Sequence, residues 1–183
     1  LRGVHEMMVT QQQKKEWGSY PDRKDSYDDK KDIQAFISMV EDDDWLRSIL
    51  SARLKSPINN FRWIDHPDGL YGADFGLQDR ETNEIGMTFD VERWFAWKAD
   101  WPSYYRYIHF LGRKDHLLEV KHPFMMVYLN YHQDQCCMVD KEIIATYPTK
   151  DKYFSYKKCW DRVKEVPIYQ GLFHKRAQEE IEA

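Results

Sequence analysis

The stretch LYGADFGLQDRETNEIGMTFDVERW, residues 70–94, decides how this chain is read. Two runs, 70–78 and 85–94, flank a polar turn at Arg80-Glu81-Thr82-Asn83-Glu84, the pattern of a β-hairpin. Alternate side chains of a strand share a face. On the second run Phe89 and Val91 therefore point one way, with Thr88, Asp90 and Glu92 the other. On the first run Ala73, Phe75 and Leu77 share a face, with Asp74, Gly76 and Gln78 opposite them. A turn centred on Thr82 sets Asp74 across from Asp90. Moving the centre by one residue sets Asp74 across from Thr88 or Glu92, still beside the other acids, and only a β-bulge breaks the parity.

Upstream of the hairpin, Ile33, Phe36, Ile37 and Val40, then Trp45, Leu46, Ile49, Leu50 and Leu54, recur at helical spacing. They predict one long helix, or two joined near Glu41-Asp42-Asp43-Asp44, ended by Pro57. A short strand at 61–64 is stopped by Asp65-His66-Pro67-Asp68-Gly69. Residues 1–27 are polar and read as a flexible N-terminal arm, which leaves 28–183 as a single domain. Downstream, 124–130 and 135–144 predict a second hairpin, and 174–182 a short polar helix. The expected fold class is α/β (α+β), a central mixed β-sheet flanked by helices, with an N-terminal helix preceding the first hairpin.

The 183 residues are 42% apolar and 32% charged, enough to bury a core without covalent staples. Seven Trp, twelve Tyr and nine Phe suit either an aromatic-rich core or stacking on bases. The net charge of −4 is uneven. Residues 1–100 carry 14 basic and 20 acidic groups, residues 101–183 carry 13 and 11, and 141–176 carry nine and four. A basic C-terminal third behind an acidic middle suits a polyanion met near bound cations, although mixed charge also keeps surfaces soluble. Cys136, Cys137 and Cys159 form neither a disulfide framework nor a CxxC pattern and favour a reducing compartment. Adjacent Cys136 and Cys137 alternate faces on a strand, so at least one belongs to the core. No apolar run approaches the roughly 18 residues of a membrane span, and no signal peptide is recognisable, so no membrane partner is expected and the cytoplasm is the expected compartment. No P-loop, GxGxxG or GxSxG motif is present.

Like charges facing each other across a hairpin are destabilising, so clustered carboxylates need a cation or a retained proton. Hard oxygen ligands suit Mg2+, Mn2+ or Ca2+. Spacing alone leaves a second reading open, a solvated polar face quieted by Arg93 or Lys98. His66 beside Asp65 and Asp68 reads as a polar turn rather than a metal site.

An acid on one hairpin strand followed on the next by an acid-x-acid or acid-x-Lys triplet resembles the PD-(D/E)XK nuclease superfamily. Here the first acid is Asp74, in Gly72-Ala73-Asp74-Phe75-Gly76, and the triplet is Asp90-Val91-Glu92. The resemblance covers roughly residues 30–145 and extends to the order of helix, hairpin, irregular segment and later strands. His109-Phe110-Leu111-Gly112-Arg113-Lys114, followed by a strand ending in Asn130, is similar to the later part of phage-type and resolvase-like members. No Pro directly precedes Asp74, and Glu92 stands at the position of the usual Lys, where some members also carry Glu. If Glu92-Arg93-Trp94 is the aligned triplet instead, Trp94 takes that position.

The resemblance implies a restriction-endonuclease-like fold and a metal-dependent endonuclease or exonuclease hydrolysing DNA with Mg2+ or Mn2+. It implies Asp74 and Asp90 as metal ligands, the Val91 carbonyl as another, and Glu92 as a ligand or base. Lys114, Arg113 or Lys98 would assist the leaving oxygen, and a helix acid, Glu41 before Asp44, would complete the shell. Lys98, Arg113, Lys150, Lys152, Lys157 and Lys158 would contact phosphates, and the aromatics of 94–107 would stack on unpaired bases. The resemblance implies a phage- or mobile-element-derived enzyme, or a viral protein in a host cell. The class allows a homodimer, although no heptad pattern argues for one. Two non-enzymatic alternatives stand beside it: an inactive nucleic-acid-binding or protein-interaction module on the same scaffold, and an acidic partner-binding protein such as a viral inhibitor.

Overall fold

Residues 29–155 and 157–177 are described by a computed structural model of the chain. The expected arm at 1–27 and the expected helix beyond residue 177 lie outside the described residues. In chain order the elements are α1 (Asp29–Glu41), α2 (Asp44–Leu54), β1 (Phe61–Asp65), β2 (Phe75–Asp79), β3 (Ile85–Arg93), β4 (Tyr107–Leu111), β5 (Phe124–Leu129), β6 (Gln135–Asp140), α3 (Lys141–Ala145), β7 (Thr149–Phe154), β8 (Cys159–Pro167) and β9 (Leu172–Lys175). A 3-10 helix, Gly112–Glu119, follows β4.

The acidic junction at 41–44 separates two helices because Asp43 caps the second. Its side chain accepts a hydrogen bond from the Leu46 N–H at 2.9 Å. The second helix ends when Lys55 turns left-handed (φ 55°), two residues before Pro57. Ile33, Phe36, Met39, Val40, Leu46 and Leu50 form the buried stripe of the two helices.

Six strands form a mixed sheet in the order β1-β2-β3-β5-β6-β9, in which only β3 and β5 run parallel. β4, β8 and β7 form a separate antiparallel sheet with β8 in the middle. The hairpin register pairs Phe75 with Phe89, Gly76 with Thr88 and Leu77 with Met87, which continues to Asp74 opposite Asp90. A bulge does occur, between Leu77 and Gln78, but it lies on the turn side and leaves the acids in register.

Both faces of the large sheet are covered. Phe75, Leu77, Met87, Phe89, Val91, Met125 and Val127 pack against α1 and α2. Phe124, Met126, Tyr128, Cys137 and Val139 pack against Ile108, Phe110 and Val166 of the small sheet and against Trp97. The carboxylate-bearing face is therefore interior, which corrects the solvated-face reading. The cause is visible in β5, whose FMMVYL run is apolar at every position and is buried throughout, as a strand covered on both faces requires.

Other expectations change locally. Residues 70–74 form turns rather than strand, and Ala73 packs on the small-sheet side instead of sharing a face with Phe75. The second hairpin ends at Asp140, after which Lys141–Ala145 turns into a short helix. Residues 172–175 form an edge strand instead of opening a helix, because they pair with β6. Cys136 and Cys137 point to opposite cores, as alternation requires. Burial raises both thiols, Cys136 to about 12, which keeps them protonated and inert.

Asn130 organises the β5–β6 turn. Its carbonyl oxygen accepts from the N–H groups of Asp134 and Gln135, each at 3.0 Å, and its amide donates to Lys98 O and Asp134 Oδ1. Asn130→Ala should cost about 2–3 kcal/mol, because the fully buried Asn130 side chain gives up all of these hydrogen bonds. Urea denaturation should show a lower midpoint at unchanged m-value.

Candidate active site

Asp74 sits where the 66–74 loop enters β2. The loop is closed by the His66 N–H donating to Asp74 O at 3.0 Å, with His66 and Gly69 at positive φ (43° and 88°). Gly76 lets this loop lie close over the sheet: a Cβ there would stand 2.8 Å from Met87 O and 3.1 Å from Pro67 Cγ. At the mouth of the hairpin the Asp74 side chain takes a backbone partner. Its Oδ2 accepts from the Val91 N–H at 3.0 Å, which holds the carboxylate beside Asp90.

Asp90 is 6% exposed. Burial pushes the Asp74 carboxyl up to about 8; the Asp90 charge and a hydrogen bond to Asp90 add to this, while the Val91 N–H and Lys114 oppose it. At neutral pH the Asp74–Asp90 pair accordingly retains one proton. Lys114 supplies the counter-charge from the 3-10 helix after β4. Its Nζ donates to Asp90 Oδ2 at 2.6 Å and to Glu92 Oε2 at 3.5 Å. Burial alone would lower this ammonium, but Asp90 and Glu92 outweigh burial and raise it, so Lys114 stays charged.

Beyond Glu92 the site opens onto the small sheet. Glu92 is in register with Tyr128 on β5, and the Tyr128 hydroxyl donates to His109 O at 2.9 Å. His109 packs tilted against Trp94 and edge-on to Phe154. Its Nε2 lies 3.1 Å from Glu165 Oε2, which also accepts from Lys152 Nζ at 3.0 Å, and Lys150 pairs with the other oxygen of Glu165. Burial would raise Glu165, but the three donors Lys150, Lys152 and His109 hold it down at about 2. Burial lowers His109, against the pull of Glu165. Lys157, lowered by burial, is drawn electrostatically toward Glu92 and Asp161, with Arg113 opposing.

The structure thus brings together Asp74, Asp90, Glu92 and Lys114, with Val91 entering through its N–H. Lys157 lies within electrostatic reach of Glu92 and Arg113; Lys150 and Lys152 instead pair with Glu165 of the small sheet, and Lys158 lies exposed in the β7–β8 turn. Glu41 and Asp44 are exposed on helices that pack against the other face of the sheet, so neither joins the carboxylates. Lys98 lies beyond β3, over the Tyr131 ring, away from them. Of the aromatics expected to stack on bases, Trp97 is fully buried and Trp94 and Trp101, with centroids 5.1 Å apart, pack against the same core, whereas Tyr104 and Tyr107 are exposed. Asp68 pairs with His122 rather than His66. His109, Glu165 and Asp161 were not legible, because nothing local marks β4 and β8 as neighbours.

Among the described residues, no three His, Cys, Asp or Glu side chains stand ready-made around one point as metal ligands. The donor chemistry nevertheless suits a hard cation: a buried Asp90 and a half-buried Asp74 that share a proton, and a third carboxylate on the same face. No helix among the described residues is long and apolar enough to cross a membrane. Comparisons with protein-family models, with curated proteins and with solved structures returned no match.

Proposed function

We propose that the chain is a metal-dependent nuclease of restriction-endonuclease-like build, hydrolysing phosphodiester bonds of DNA with Mg2+ or Mn2+. The observation that carries this reading is the Asp74–Asp90 pair, with Lys114 Nζ 2.6 Å from Asp90 and Glu92 on the same face. The order of helix, hairpin, irregular segment and parallel strand supports it as well.

Asp74 and Asp90 would hold the cation, and Glu92 would complete the oxygen set. The ion would supply positive charge against the scissile phosphate and lower the pKa of the attacking water. Asp74 would hold the ion as the carboxylate, its proton passing to solvent. Lys114, released from Asp90, donates from Nζ to a phosphate oxygen, supplying the cation missing from the triplet. Glu92 orients the water through its carboxylate oxygens, and Trp94 and Tyr128 wall the group from bulk solvent.

The test incubates purified protein with single-stranded, duplex and branched DNA in Mg2+, Mn2+ or EDTA. Cleavage should need the metal, and Asp90→Ala should abolish cutting while retaining DNA binding. Intact substrates with either metal would remove the enzymatic reading. The inactive nucleic-acid-binding module would then stand, which the Lys114–Asp90 ion pair favours.

Metal binding carries its own signature. Asp74 is protonated below about pH 8 and must ionise to bind, so metal affinity should rise with pH and level off above 8. Calorimetry at pH 7 in buffers of different ionisation enthalpy should show release of about one proton per site. A buffer-independent heat would contradict it.

A further inference from the structure

The β7–β8 hairpin contains six basic residues, Lys150, Lys152, Lys157, Lys158, Arg162 and Lys164, against three acidic ones, Asp151, Asp161 and Glu165, a net +3 in a chain of net −4. Its register pairs Lys152 with Asp161, Tyr153 with Trp160 and Phe154 with Cys159. Directly opposed residues of an antiparallel pair share a face. Lys152, Phe154 and Asp161 therefore lie on the face that borders Glu92, where Lys152 meets Glu165 and Phe154 meets His109. Tyr153 and Trp160 lie on the opposite face. Their rings sit 5.6 Å apart, and the residues are 48% and 54% exposed.

A single exposed aromatic on a surface is ordinary. Here two adjoin on a basic hairpin that reaches the carboxylate site, and β7 is an outer strand of its sheet, so no further strand blocks passage from one face to the other. Positive charge beside exposed flat rings suits a polyanion that offers flat faces. Duplex nucleic acid keeps its base faces inside its own stack, whereas a single strand presents them.

We propose that Tyr153 and Trp160 form a stacking platform for unpaired bases, and that the substrate is single-stranded nucleic acid whose phosphates follow the basic hairpin to the carboxylate pair. This rests on the reading of that pair as a nuclease site. The strand wraps the free edge of β7, with bases on the outer rings and phosphates near Lys157 and Lys158.

The experiment measures fluorescence anisotropy of labelled oligodeoxythymidylate, oligouridylate of the same length and a duplex hairpin. It uses Asp90→Asn protein so that bound strands stay whole. Single strands should bind more tightly than the duplex. Adding Trp160→Ala or Tyr153→Ala should weaken single-strand binding about tenfold, while Trp160→Phe retains most of it. The two oligonucleotides separate a DNA from an RNA preference. Equal affinity for duplex and single strand, or unchanged affinity on removing either ring, would overturn the platform. Protein that cuts DNA without dependence on Trp160 loses this proposal alone. Protein that stacks single strands but cuts nothing loses the nuclease reading and keeps the platform.

Discussion

Asp74→Asn should remove metal-dependent cleavage and, in the same protein, make stability less sensitive to rising pH up to about 8. The loss of activity should be at least about 100-fold, since even the outer partners of a metal ligand contribute 10–100-fold. The effect on stability follows from the proton. The Asp74 carboxyl titrates near 8 in the folded chain, against about 3.9 unfolded. A group raised in this way contributes stability that is complete below the unfolded value and is lost as pH rises through the folded one. Metal-free wild-type protein should therefore melt at falling temperature between about pH 4 and 8, and level off above. Asparagine copies the protonated acid: it can accept from the Val91 N–H and donate to Asp90 without ionising. Thermal unfolding in EDTA, followed by circular dichroism across that range, should show the variant nearly level relative to wild type. Parallel curves for the two proteins would refute the shared proton.

Lys114→Met should have the largest effect on stability of any single change at the site. The ammonium stands 2.6 Å from Asp90, and its removal takes this counter-charge from a buried carboxylate. Breaking a buried pair from one side costs about 3–5 kcal/mol. The loss should be greatest above pH 8, where Asp74 is also ionised, and smaller at pH 6. Lys114→Met combined with Asp90→Asn should recover much of the loss, because the orphaned charge is gone. A double-mutant cycle in urea measures this, and additive losses would show that the pair does not interact.

The hairpin was legible because its information is local. Period-two alternation and a single polar turn fix which side chains share a face, and the bulge at Leu77 fell where parity was no longer needed. The helix junction was legible for the same reason, since Asp43 caps within three residues of its partner. What surrounds the carboxylates depends on pairings between segments far apart in the chain. β4 meets β8 across more than fifty residues, His109 lying opposite Glu165, and neither run alternates cleanly. The burial of the acids was half legible: the unbroken apolar β5 announces a strand covered on both faces, and β3 is its neighbour. Lys114 could be singled out by resemblance, but only the 3-10 helix aims its ammonium at Asp90. Glu41 failed as a candidate because helical spacing says nothing about which face of the sheet a helix covers.

The single parallel pairing, β3 with β5, also orders events in time. Antiparallel neighbours can zip from a turn, but parallel ones must wait for a crossover to close, here residues 94–123. As the chain leaves the ribosome, β1 to β3 can pair first and set Asp74 beside Asp90. Lys114 arrives within the crossover, and the basic hairpin follows after β5 and β6. For that interval the nascent protein holds two carboxylates beside each other without the small sheet that later encloses them, so the burial that raises Asp74 comes only when that sheet closes.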